Sequence, residues 1–146
     1  MTYNEYLDEL QSLQDLKYKE FNEKIVCSNN LIGVRTPDLK RIAKIIVHSN
    51  YDLFIKENKH KYFEDSLVHG LILGYLKLDF SELKPYIETF LNYIDNWAVC
   101  DMTAANLKIF NKNKDKDICF NEIKTYINND NPWINRFGYV LILDYF

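Results

Sequence analysis

Apolar residues recur at three- and four-residue spacings along almost the whole chain, and the strand-like alternation of apolar and polar residues is missing. In the first 26 positions this spacing predicts an amphipathic helix, with Thr2 as its N-cap and an interruption near Asp15. The word Thr36-Pro37-Asp38 places a capping hydroxyl, a proline and an acid in the order that favours a helix start. It predicts a helix from Pro37 to about His48. The periodicity therefore predicts an all-α protein.

Further segments with the same spacing lie at about 51–58, 62–77, 82–94 and 97–110. After them, Asp115 or Asp117 can cap another helix. Asn131-Pro132 again places a capping residue before a proline, as Thr36-Pro37 does, and predicts the start of a last helix. Residues that favour turns are scarce. The chain has four glycines and three prolines, which are too few for a many-stranded sandwich or barrel. This scarcity supports the all-α class.

The three prolines, Pro37, Pro85 and Pro132, are spaced 48 and 47 positions apart. That period is close to the roughly 40–47 residues of an armadillo or HEAT-type helical pair, although chance spacing is the alternative explanation. Pro85 departs from the pattern, since Ser81 as a cap would place this proline late in the first turn of its helix. A length of 146 residues predicts one domain over 1–146.

Composition and charge exclude several classes of function. The net charge of −3 offers no global basic field, so any surface that binds nucleic acid must be a local face. No apolar stretch approaches the ~20 residues of a membrane span and the N-terminus does not read as a signal peptide, so we expect a soluble, cytoplasmic protein without a membrane partner. Cysteine and histidine spacings predict free thiols, no metal and no cofactor. Gly70 and Gly74 suggest a close contact between helices rather than a phosphate loop.

A few polar and aromatic residues could carry chemistry. Trp97 and Asp101 lie four apart and would share one helix face, where an aromatic ring can hold a sugar-like surface and a carboxylate can stabilise positive charge. The alternative makes Trp97 a core residue and Asp101 a cap or a solvated acid. Arg136 is either a phosphate ligand or a surface salt bridge. Lys112 and Lys114, in a run where lysine alternates with asparagine or aspartate, indicate mainly a solvated loop, with a weak indication of phosphate contact.

Three sequence motifs that follow one another along the chain connect these residues to a known family. They are Ile32-Gly-Val-Arg-Thr-Pro-Asp-Leu-Lys-Arg-Ile-Ala-Lys44, Asn96-Trp-Ala-Val-Cys-Asp101 and Trp133-Ile-Asn-Arg-Phe-Gly138. In this order they resemble the AlkD-like family of DNA alkylation-repair glycosylases. The resemblance implies a right-handed solenoid of antiparallel HEAT-like helix pairs. It also implies hydrolysis of the N-glycosidic bond of cationic N3- or N7-alkylated purines in double-stranded DNA, for which protonation by a general acid is unnecessary because the cationic base already leaves well.

By the same resemblance, Asp101 matches the family's catalytic aspartate, Trp97 the aromatic that packs against the lesion's deoxyribose, and Arg136 the arginine that contacts backbone phosphate. Phe21 is the nearest candidate for an N-terminal aromatic, and the lysines at 112 and 114 are further candidate DNA contacts. A non-catalytic HEAT-like scaffold that binds DNA or protein is the alternative function.

The last residues, Val140 to Phe146, are almost wholly apolar. This helix either packs inward on all sides, belongs to a longer solenoid, or forms a homodimer through its exposed face. We favour the longer solenoid, and since family members extend beyond the last motif, we expect the chain to be about the N-terminal two thirds of the family domain.

Overall fold

The computed structural model describes residues 1–112 and 114–146, and within those ranges the chain is helical with no strand. Asn113, in the predicted loop, lies outside the described residues. The all-α prediction is confirmed. The helices are α1 (Tyr3–Ser12), α2 (Leu16–Val26), α3 (Thr36–Val47), α4 (Tyr51–Glu57), α5 (Phe63–Tyr75), α6 (Phe80–Leu91), α7 (Trp97–Asn106), α8 (Ile109–Lys112), α9 (Lys116–Ile127) and α10 (Pro132–Tyr145).

Side-chain caps start several helices where the sequence predicts them. Thr2 Oγ1 accepts a hydrogen bond from the third residue of α1 at 3.1 Å, and Asp115 Oδ1 accepts one from Ile118 N at 3.1 Å. Asn131 Oδ1 accepts one from Trp133 N at 2.9 Å, at the start of α10. Each cap satisfies a backbone N–H that lacks a partner within its helix. The interruption near Asp15 is confirmed too, since this residue caps α2.

Two predicted N-caps are wrong, although the helix predicted from Pro37 to about His48 is present as α3. Arg35 is the N-cap of α3 and its side chain makes no capping hydrogen bond, so Thr36 is already helical. Helix α6 begins at Phe80 because the carbonyl of Asp79 accepts the first intrahelical bonds, and Ser81 is therefore inside the helix. Pro85 consequently lies within α6, whereas the other two prolines stand at helix starts. The proline spacing does not mark equivalent positions of a repeat.

Helices α3, α5, α7 and α10 form one layer, because each packs against the next in that order. Gly70 and Gly74 of α5 lie directly against Thr103 and Asn106 of α7, and a Cβ atom at either glycine would overlap these residues. The predicted close helix contact is confirmed. Since both pairs follow in the same order along the chain, α5 and α7 run in the same direction.

Buried acids fasten the N-terminal segments to α5. Asp65 accepts hydrogen bonds from the hydroxyl groups of Tyr3 at 2.6 Å and Tyr6 at 3.0 Å, which hold α1. Glu64 accepts the backbone N–H groups of residues 32–34 at 2.9 to 3.2 Å. Each carboxylate is buried and receives several donors, as a buried charge requires.

The end of the described chain exposes apolar surface. The side chain of Leu143 on α10 is 83% exposed, so this helix does not pack inward on all sides. No helix among the described residues is long and apolar enough to cross a membrane.

Candidate functional site

Helix α7 presents Trp97 and Asp101 on its partly exposed face. Asn96 caps the helix by accepting a hydrogen bond from Val99 N at 3.0 Å, which makes Trp97 its first residue. The tryptophan is 39% exposed, and its Nε1 donates to the carbonyl of Ile25 at the end of α2, at 3.3 Å. The alternative that Trp97 is a core residue is wrong. The indole is anchored at its nitrogen, with part of the ring open to solvent.

Asp101 and Arg136 form a bidentate ion pair across α7 and α10. Arg136 Nε donates to Asp101 Oδ1 at 2.9 Å, and Nη2 donates to Oδ2 at 2.7 Å. The carboxylate is 30% exposed and the guanidinium side chain 46% exposed. A guanidinium has five N–H donors, so this pair orients the carboxylate and leaves other donors of Arg136 available. Residues that the sequence analysis treats separately are thus one unit.

The charge of the ion pair and the burial around it shift the pKa values of neighbouring groups. Hydrogen bonding to Asp101 raises the pKa of Arg136 further, so its charge is permanent. Burial, and then the nearby Asp101 carboxylate, raise the pKa of the Cys100 thiol to about 12. Cys100 is therefore protonated at neutral pH and is not a nucleophile. Burial and the charge of Asp101 also raise the pKa of Asp144, which places a second carboxyl group within electrostatic reach.

The end of α7 is held by a residue that the sequence analysis misses. Tyr145 Oη lies 2.8 Å from the carbonyl oxygen of Ala104 and 2.7 Å from that of Ala105. The hydroxyl can therefore donate a hydrogen bond to a backbone carbonyl in the last turn of α7. This contact fixes the C-terminal part of α10 against α7, as the Asp101 ion pair does near its start. No local pattern indicates this role, because a tyrosine near a helix end is equally compatible with simple burial.

The remaining predicted residues lie apart from this cluster. Lys112 is the last residue of α8, is exposed, and lines a groove together with Lys77 and Lys108. Lys114 is exposed in a bend between α8 and α9. Neither contacts Asp101 or Arg136, so the structure does not join the two lysines to that ion pair. Phe21 on α2 is 65% exposed. Among the described residues, no group of three or more His, Cys, Asp or Glu could hold a metal ion.

The sequence of the chain matches a known family. The sequence profile of a family described as DNA alkylation repair enzyme matches residues 6–146. The chain belongs to this family. Membership connects the chain with DNA alkylation repair and implies DNA as its partner. Searches of curated proteins and of solved structures found no match.

Proposed function

We propose that this family member is a DNA glycosylase that hydrolyses the N-glycosidic bond of cationic N3- or N7-alkylated purines in double-stranded DNA. The observation that carries the proposal is the Asp101 carboxylate, held by Arg136 beside the partly exposed ring of Trp97. A carboxylate in a fixed orientation next to an aromatic face suits a reaction in which positive charge develops on a sugar.

The chemistry needs no acid, because the alkylated base already carries a positive charge. As the bond from C1′ to the base nitrogen breaks, its electron pair leaves with the base and neutralises it, while positive charge builds on the deoxyribose. Asp101 stabilises that charge and orients a water molecule, whose oxygen bonds to C1′ and whose proton passes to the carboxylate or to solvent. Trp97 packs against the sugar and excludes bulk water, which strengthens the electrostatic interaction.

Arg136 has a double role in this proposal. Two of its N–H groups hold the Asp101 carboxylate, and the free Nη1 group can bind a backbone phosphate beside the lesion. Phosphate binding would share the guanidinium charge between the phosphate and Asp101. The carboxylate would then be better able to stabilise the sugar.

The order in which α3, α5, α7 and α10 pack against one another supports a proposal about architecture. We propose that α3, α5, α7 and α10 are the inner helices of a right-handed HEAT-like solenoid, forming a single domain over 1–146. In such a solenoid, DNA would lie along the face that carries Trp97 and Asp101. The lysines at 112 and 114 would make outer phosphate contacts.

Release of 7-methylguanine from a duplex that carries this lesion tests the proposed function. We expect Asp101→Asn to lower the single-turnover rate by roughly 100-fold or more while leaving DNA affinity unchanged or higher, because Arg136 is freed. Asp117→Asn is the matched control, since it removes the same charge from an exposed position on α9. Equal rates for both variants would refute the role of Asp101. Tight DNA binding by the unaltered chain without any release would favour the non-catalytic scaffold.

A further inference from the structure

Grooves that contain no acid run along one edge of the layer of helices. The first follows α3 from Pro37 to His48, the second lies between the ends of α3 and α5, and the third lies between the end of α5 and α8. They are continuous, because Lys44 and His48 line the first two and Lys77 lines the last two. We call the lysines and the arginine that line them the basic edge: Lys40, Arg41, Lys44, Lys77, Lys108 and Lys112.

The lysines of this edge carry charge without a paired acid among the described residues, in a chain that is acidic as a whole. The chain has 21 acidic and 18 basic residues, yet no aspartate or glutamate lines any of the three grooves. Within the described residues, the five lysines of the basic edge form no ion pair, and only Arg41 is paired, with Glu9 and Asp38. Elsewhere in the described residues, Lys19, Lys56 and Lys84 do form ion pairs, at 2.9 Å for Lys56 with Asp52. Among the described residues, acids therefore do not line these grooves, and they pair with the basic edge at Arg41 alone.

Helix termini explain only part of this pattern. Lys44 and Lys112 stand in the last turns of α3 and α8, where a cation interacts favourably with the helix dipole. That interaction does not require acids to be absent from the neighbouring grooves. Aromatic rings also line the middle groove, and Lys44 Nζ lies 5.1 Å from the ring centroid of Tyr75. Exposed cations interleaved with aromatic rings are typical of surfaces that bind nucleic acid.

The position of the basic edge connects it to the proposed site. Asp101 lies near the middle of α7, and Lys108 follows the end of the same helix. At about 1.5 Å of rise per residue, the two are separated by on the order of 10 Å along the helix axis. Since bases of B-DNA are stacked about 3.4 Å apart, this separation corresponds to about three base-pair steps. Along this axis, the two residues lie within the length of one short duplex.

We infer that the basic edge binds the phosphate backbone of the duplex whose lesion faces Asp101, a few base pairs away from it. This inference rests on the proposed function and assigns a second, sequence-independent contact to the same substrate. It also accounts for DNA binding by a protein of net negative charge, since only this local surface has to attract the polyanion.

Salt dependence of binding to a short undamaged duplex tests the inference. The variant Lys44→Gln/Lys77→Gln removes two charges from the middle groove. The control Lys59→Gln/Lys124→Gln removes two exposed lysines that line none of the three grooves. Each phosphate contact contributes about 0.9 to the slope of log affinity against log salt. We expect the slope of the first variant to fall by about two, with affinity at least roughly tenfold weaker at low salt, and the control to match the unaltered chain.

Equal slopes for the two variants, or no binding of duplex DNA by the unaltered chain at low salt, would overturn the inference. Tighter binding of an RNA duplex of the same sequence would overturn the assignment to DNA. The proposed function is tested separately, by base release at saturating enzyme. If the chain releases no base but the slopes differ as expected, the glycosylase proposal is refuted and DNA binding by the basic edge is supported. If the chain releases base but the slopes are equal, DNA binding by the basic edge is refuted and the glycosylase proposal is supported.

Discussion

A buried histidine should make this protein sensitive to mild acid. The ring of His69 is fully buried, its Nδ1 lies 2.9 Å from His60 Nε2, and its Nε2 has no hydrogen-bond partner among the described residues. The ring of Phe90 meets it edge-on, with centroids 5.2 Å apart. Burial, and then the neighbouring His60, lower the pKa of His69 from 6.5 to about 3. The folded protein therefore keeps this side chain neutral.

The size of the effect follows from proton linkage. Between the unfolded pKa of 6.5 and the folded pKa of about 3, the unfolded chain binds a proton that the folded chain rejects, so folding stability falls as the pH falls. Each pH unit in this window costs about 1.4 kcal/mol. At pH 5 the loss from His69 is therefore about 2 kcal/mol, and above pH 7 it vanishes. Burial also lowers the pKa of His60, which adds to the loss in the same direction.

Urea unfolding at neutral pH and at about pH 5 measures this loss. With a denaturant slope of about 2 kcal/mol per molar, the midpoint of the unaltered chain should fall by about 1 M at the lower pH. The fall should be much smaller in His69→Leu, which cannot take up the proton. His48→Gln is the control, because it removes an exposed histidine and leaves His69 in place. An equal fall in the unaltered chain and in His69→Leu would refute the linkage.

Two further predictions concern the contacts that position the site. Gly70→Ala should lower the free energy of unfolding by about 1–3 kcal/mol, because the new methyl group overlaps Thr103 and pushes α7 away from α5. Calorimetry would show it, and an unchanged melting temperature would contradict the close packing. Glu64→Gln should cost about 2 kcal/mol, because it weakens charge-assisted hydrogen bonds from the backbone of residues 32–34. Urea unfolding at neutral pH measures that cost, and equal stability would mean that these bonds contribute nothing net.

Local chemistry explains which parts of the fold the sequence predicts well. A cap such as Asn131 followed by a proline acts within one turn of the chain, so α10 begins where the pattern places it. The predicted start of α6 was wrong because its N-cap, Asp79, makes no side-chain capping hydrogen bond, and Ser81 only resembles a cap. The nearly equal spacing of the prolines does not mark equivalent positions, since Pro85 lies inside a helix and the other two stand at helix starts.

Sequence alone sufficed for the all-α class and for the family, because helical periodicity, capping residues and the three motifs each depend on residues that are close together in the chain. Tertiary structure decided how those residues work together. Asp101 and Arg136 are 35 positions apart, and their bidentate pairing depends on the packing of α10 against α7. The basic edge likewise gathers lysines from α3 to α8. Distances between side chains on different helices follow from how close-packed helices fill space, and no periodicity along the chain encodes them directly.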